Sequence, residues 1–178
     1  MTVSQTDAFS TRKLVFMALL VAMGLGLHMV EDLLAFVTIL PGLKLGLANI
    51  ITLISFSFLS KKETGLIVLV RMILLGILSG RMMTPGYIIG AMGAFLSYIM
   101  MAVFAGNENT SIIGVSLIGA AAHNLGQIMG VMFLLSGTES LYYLPWLLLW
   151  SVPMGFFTGV WGNISVYALR KIRFSAKI

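Results

Sequence analysis

Gly119-Ala-Ala-Ala-His-Asn-Leu-Gly-Gln-Ile-Met-Gly130 lies inside an apolar run from Ile112 to Leu135. About 20 apolar residues in helical form cross the hydrocarbon core of a bilayer, so the run is long enough to span one. At its centre stand His123, Asn124 and Gln127. On a helix His123 and Gln127 share a face, and Asn124 is three residues from Gln127. Side chains with this much hydrogen-bonding capacity are costly in hydrocarbon unless they meet partners. Gly119, Ala120, Ala122, Gly126 and Gly130 around them are small enough for neighbouring helices to approach closely. The stretch therefore reads as a helix inside a membrane bundle. Its polar centre is either the floor of a pocket or a hydrogen-bonded cluster that joins helices.

The rest of the composition agrees. Of 178 residues, 59% are hydrophobic and 10% charged, against about 25% charged in a typical soluble domain. The fold class expected is an all-α integral membrane protein. Cysteine is absent, which excludes disulfides, thiolate metal sites and lipidated cysteines. The net charge of +5 is read by position, as a topology signal, and not as a nucleic-acid footprint. The first apolar run has the length of a span and lacks a convincing cleavage site, so a retained helix is expected in place of a signal peptide.

Outward from residues 112–135, five more helices are expected, at about 12–34, 43–59, 65–79, 85–104 and 142–169. Together they make a compact six-transmembrane-helix bundle over 12–170, with tails at 1–11 and 171–178. Ser60-Lys-Lys-Glu-Thr64 reads as a charged loop and Thr84-Pro85-Gly86 as a helix start, with proline suited to the first turn. Pro153 marks a kink. Ala18, Ala22 and Gly26 form a small-residue stripe at four-residue spacing. Placing both termini in the cytoplasm puts Arg12, Lys13, Lys61, Lys62, Arg170, Lys171, Arg173 and Lys177 inside, as the positive-inside rule requires.

That orientation gathers polar groups in the outer half. His28, Glu31 and Asp32 come late in the first helix, and Lys44 and Asn49 early in the second. Arg81 and Tyr87 flank the third connection, His123, Asn124 and Gln127 lie near mid-depth, and Trp146 and Trp150 open the sixth helix. Arg71 marks the floor. A binding cavity open to the exterior needs this one-sided convergence, and simple bundle cohesion does not. Arg71, costly at mid-membrane by about 2.5–3.5 kcal/mol on insertion scales, either contacts an anionic or polar ligand or pairs structurally with Glu31. Lys44 and Arg81 are ligand contacts or interfacial anchors that snorkel to headgroups. Trp146 and Trp150 belong to an aromatic belt or cover a ligand.

Catalytic readings are thin. His28 and Glu31 are one turn apart and with His123 would make a three-ligand metal site, but two histidines without cysteine are weak grounds, and no cofactor or metal is expected. No serine has a nucleophile-elbow setting. No phosphate-cradling G-x-x-x-x-G-K-[ST] occurs, and the acid-rich magnesium motifs of prenyl synthases are missing.

Pro41-Gly42-Leu-Lys44-Leu-Gly46-Leu-Ala48-Asn49, Gly80-Arg81 and Ala122-His123-Asn124-Leu-Gly126-Gln127 together resemble the bacterial membrane family labelled heptaprenyl diphosphate synthase component I or Gx transporter, over roughly residues 12–170. That family is similar in size and helix count to the substrate-binding S components of energy-coupling factor (ECF) importers. The resemblance implies a non-catalytic, multi-pass protein of the bacterial cytoplasmic membrane. It would capture a small polar or anionic molecule (a vitamin, quinone or prenyl precursor) from outside, beneath a cap at 33–43. A coupling subunit and ATPase subunits would be its partners, and Ala18-Leu-Leu-Val-Ala22 matches the Ala-x-x-x-Ala docking motif of S components. The alternative is a non-catalytic membrane subunit associated with prenyl diphosphate biosynthesis, and a third reading is a purely structural membrane partner.

Overall fold

The computed structural model describes residues 11–34, 46–107, 109–135 and 139–175. Among these residues every regular element is helical: α1 Thr11–Leu34, α2 Leu47–Phe58, α3 Lys61–Leu78, α4 Pro85–Phe104, α5 Ile112–Leu135 and α6 Leu144–Ser175, with a 3-10 turn at Glu139–Tyr143 before α6. Four of the helices, α1, α4, α5 and α6, are long and apolar enough to cross a membrane, which makes the chain a multi-pass membrane protein. The other two are different in kind. α2 is apolar but has only 12 described residues, and α3 opens on Lys61, Lys62 and Glu63 and carries Arg71.

The helices close into a ring in the order α1, α2, α6, α5, α4, α3, each packed on the next and α3 on α1, while α2 also touches α3 and α5. α2 is therefore the innermost helix. Ala48, Asn49 and every residue from Ile51 to Ser55 are buried, as expected of a helix apolar nearly all round. Its Ile51 and Ile54 join Met17, Leu20, Val21, Ile67 and Val166 in one core cluster. Its Leu53 joins Met101 and Val115 in another. The fully buried Ser55 hydroxyl donates to Ile51 O at 2.7 Å.

Two kinds of seam hold the ring. Lipid is as apolar as the core, so helix association in a bilayer depends on close van der Waals packing and interhelical hydrogen bonds. Between α4 and α5 the backbones touch: a Cβ on Gly126 would stand 2.6 Å from Met92 O and 2.8 Å from Gly93 Cα. Between α3 and α4 tyrosines act as spacers. Tyr87 and Tyr98 are close to three turns apart on one face of α4. Their rings lie over Gly76 and Gly65 of α3. The Tyr87 hydroxyl donates to Met72 O (2.9 Å) and the Tyr98 hydroxyl to Lys61 O (2.8 Å). Each acceptor is four residues before the glycine, so its carbonyl already serves the glycine N–H, and the missing Cβ leaves its second lone pair within reach.

α3 begins four residues earlier than the charged-loop reading of Ser60–Thr64 expects. Ser60 and Glu63 form a capping box that satisfies two of the orphan donors of the first turn, so these polar residues start the helix. α6 likewise runs on to Ser175, which makes residues 171–175 helical where a tail was expected, and it passes through Pro153 within one continuous helix. The 1–10 and 176–178 tails and the 35–45 connection lie outside the described residues, and with them the expected 33–43 cap except for Leu33 and Leu34, which end α1.

Lys13 of α1 pairs with Glu63. The Lys13 ammonium, then the Ser60 backbone N–H, hold the Glu63 carboxyl below the ordinary glutamate range. A depressed folded-state pKa stabilises the fold fully above the unfolded value and loses that contribution as pH falls through the folded one. Thermal stability should thus be flat above about pH 5 with respect to this pair and decline below the usual glutamate value of about 4.3. Lys13 is half-exposed, so the amplitude should be about 0.2–1 kcal/mol. Lys13→Gln should flatten that part of the acid limb in melting curves, and an unchanged limb would remove the pair from the stability account.

Candidate functional site

Two adjoining spaces occupy the end of the ring where α1 and α3 finish and α2 and α4 begin. The inner one is lined by His28, Glu31, Asn49, Arg71 and His123, with Gly46, Ala48, Met72, Gly90 and Ala94, and encloses about 20 Å³. The outer one is open and larger, about 240 Å³. His28, Met72 and Gly90 form the wall common to both.

The inner chamber is built around Arg71. Its side chain passes α1 where Gly24 leaves room, since a Cβ there would stand 2.8 Å from Arg71 Cδ. Its Nη1 donates to Ala48 O in the first turn of α2 at 2.7 Å. Glu31, 3% exposed, acts electrostatically on Arg71 and accepts the Gly46 N–H at 2.5 Å. Gly46 holds φ 74, a left-handed conformation open to glycine at little cost. The turn so formed presents the positive end of the α2 dipole to the carboxylate. One residue from each of α1 and α3 thus grips the start of the innermost helix. Arg71 Nε has no hydrogen-bond partner among the described residues, and the chamber is the size of about one water. An organic ligand does not fit there.

The outer cavity takes its shape from the α3–α4 turn. Arg81 N–H bonds Gly76 O (3.2 Å) and Gly80 N–H bonds Ile77 O (3.1 Å), with Gly80 at φ 64. This is a Schellman closure of α3. Thr84 then caps α4, accepting from Tyr87 N–H (3.3 Å) and donating to Arg81 O (2.8 Å), and Pro85 fills the first turn. The backbone of Arg81 is pinned at both sides, at the mouth of the cavity.

The structure thus brings His28, Glu31, Asn49, Arg71 and His123 into the inner chamber, and Arg81 to the outer cavity with His28. It sends the other polar residues elsewhere. Asn124 donates to Leu147 O of α6 at 2.6 Å. Gln127 is buried against Gly93 of α4. Neither lines the two spaces: Asn124 is turned 100° from His123, toward α6, and Gln127, on the face of His123, lies one turn further along α5 and packs on Gly93. Trp146 and Trp150 lie on the outside of α6, 62% and 40% exposed, where an aromatic belt would be. Lys44 lies outside the described residues. Ala18 and Ala22 are on the exposed face of α1. No three His, Asp or Glu side chains among the described residues are grouped to hold a metal ion, and the Arg71 cation in the same chamber opposes one. Met72 and Leu75, which line the outer cavity, carry no polar signal, and only closure of the ring assigns them to it.

Residues 20–164 match the family model described as heptaprenyl diphosphate synthase component I. No curated protein and no solved structure matches the chain.

Proposed function

The chain belongs to the heptaprenyl diphosphate synthase component I family, and we propose that it is a membrane subunit that captures a small polar or anionic organic molecule and passes it to partner subunits, as the S component of an ECF-type importer does. The observation that carries this reading is the open outer cavity beside a polar chamber, both at one end of the ring. In the six-span arrangement the basic residues of the other end, Lys61 and Lys62 with Arg12, Lys13, Arg170 and Lys171, face the cytoplasm. The cavity end then faces outward, and both termini lie inside.

The α1 surface supports a docking role. Ala18 and Ala22 are exposed, and nothing lies within 4 Å of where a Cβ on Gly26 would stand. Gly93 of α4 and Gly119, Gly126 and Gly130 of α5, by contrast, are used up in contacts between those two helices. A small-residue stripe left open to the outside suits a crossing helix from a partner. Leucine at both positions in Ala18→Leu/Ala22→Leu should abolish co-purification with a coupling subunit. Its melting temperature should stay near the parent's, since exposed substitutions shift stability by about 0.5 kcal/mol or less. Loss of folding would make the stripe internal packing.

The family description favours one second reading, a membrane component that assists prenyl diphosphate formation without catalytic groups of its own. Mass spectrometry of small molecules retained by the purified protein, with identification of co-purifying proteins, separates the two. A retained organic solute with ATPase and coupling subunits supports capture. A soluble prenyl synthase with no retained solute would replace it with the second reading.

A further inference from the structure

We infer that the outer cavity opens at the outer boundary of the membrane and takes the compact head of a single-chain amphiphile, hydrogen-bonded to Ser79, whose chain stays among the lipids beside Leu78, Met82 and Met83; this rests on the capture reading and names the ligand class of that site. Three observations lead there. The first is depth. From Lys13 to Leu34 α1 is about 31 Å long, close to the roughly 30 Å of a hydrocarbon core. Lys13 pairs with Glu63 in the first turn of α3, and the Arg71 side chain passes α1 at Gly24. Counted from these two contacts, at about 1.5 Å per residue, α3 ends at Leu78 about 5–9 Å short of the end of α1. The 79–84 turn that shapes the cavity mouth therefore comes at the boundary between acyl chains and headgroups.

The second observation is the surface of that turn. Ile77, Leu78, Met82 and Met83 are all exposed, Leu78 at 71% and Met83 at 86%. In water they would make an uncovered apolar patch beside the mouth. At the bilayer boundary acyl chains cover them. The third is the cavity itself. Of the three hydroxyls in its described lining, those of Tyr87 and Thr84 are engaged with Met72 O and Arg81 O, and that of Ser79 is left for a ligand. Met72, Leu75 and the ring of Tyr87 form an apolar wall. At about 240 Å³ the space holds a single ring with its polar groups and is smaller than the roughly 300–1,000 Å³ that enclose drug-sized ligands. A long chain attached to that ring has to leave by the mouth, and there it meets the methionines of the turn and lipid.

The protein has no cysteine, so a single introduced one is unique. Gly86 lines the cavity, and nothing lies within 4 Å of where its Cβ would stand, which makes Gly86→Cys a reporter inside it. The probes are 4-alkylphenols from ethyl to octyl, with decane as the chain-only control, tested for protection of Gly86→Cys from N-ethylmaleimide in phosphatidylcholine nanodiscs. The half-protecting aqueous concentration should fall about fourfold per methylene through the whole series, because the chain stays in the membrane and never has to fit the cavity. Ser79→Ala should raise it by about three- to tenfold for every member, and decane should not protect. A nitroxide on Met83→Cys should be relaxed more by oxygen than by a water-soluble nickel chelate, and one on Lys62→Cys the reverse. Ligand-free melting temperatures check that the variants fold. Protection that peaks at a short chain and is lost at octyl, or relaxation dominated by nickel at Met83→Cys, overturns entry from the membrane and leaves capture of a soluble solute standing. Protection by decane, or indifference to Ser79→Ala, overturns the placement of the head. If no phenol protects, the inference falls; the capture reading then stands if the purified protein retains an organic solute and falls too if it retains none.

Discussion

Gly126→Leu is expected to be among the most damaging single changes in the protein, lowering stability by about 3 kcal/mol or more, at or beyond the usual range for overpacking. The new Cβ alone would stand 2.6 Å from Met92 O and 2.8 Å from Gly93 Cα. These are backbone atoms of the facing helix and have no rotamer by which to escape. α4 and α5 would have to separate, or α5 would have to shift against α6, to which Asn124 ties it through Leu147 O. Gly26→Leu on the open face of α1 is the matched control, and in the isolated subunit it should change the melting temperature little. Unfolding in detergent or nanodiscs, followed by loss of helical signal, measures both. Equal stability of Gly126→Leu and the parent would mean the α4–α5 contact is looser than described.

Arg71→Gln should cost on the order of a few kcal/mol, because it removes a buried cation that acts electrostatically on the buried Glu31 carboxylate and donates to Ala48 O. The Glu31 carboxylate would remain at 3% exposure without the cation opposite it, and Ala48 O would lose its donor. Glu31→Gln should be costly for the mirror reason. The double variant Arg71→Gln/Glu31→Gln should be less damaging than the sum of the singles, since it leaves no uncompensated charge, and the difference is their coupling. Unfolding of the three variants checks this. Additivity would show that the two charges do not act as a pair. Arg71→Gln that folds normally but loses a retained solute would move Arg71 from the fold to the ligand.

That experiment bears on the residue for which the sequence left two roles open. Arg71 at mid-helix announces its cost in any sequence reading, but the cost does not say what offsets it. The answer lies in Gly24 and Ala48, which are apolar and silent in sequence. One makes room for the side chain and the other supplies the carbonyl.

What the sequence by itself determined is what depends on local patterning. Apolar length gives the spans α1, α4, α5 and α6, because every backbone polar group in lipid must be satisfied within a helix. Thr84-Pro85 marks the start of α4, and the clustering of His28, Glu31, Asn49, Arg71 and His123 toward one end follows from helix direction alone. Ser60 and Glu63 carried a legible capping signal under their charged-loop appearance. What only the tertiary structure decided is rotation and neighbour order. Polarity fixes how deep His123, Asn124 and Gln127 lie but not which way each points. The ring order sends one to the chamber, one to α6 and one to α4. The same holds for Tyr87 and Tyr98, whose spacing matters only because Gly76 and Gly65 of α3 lie opposite them. A helix face acquires meaning from the helix set against it, and that partner is chosen by packing between segments distant in the chain.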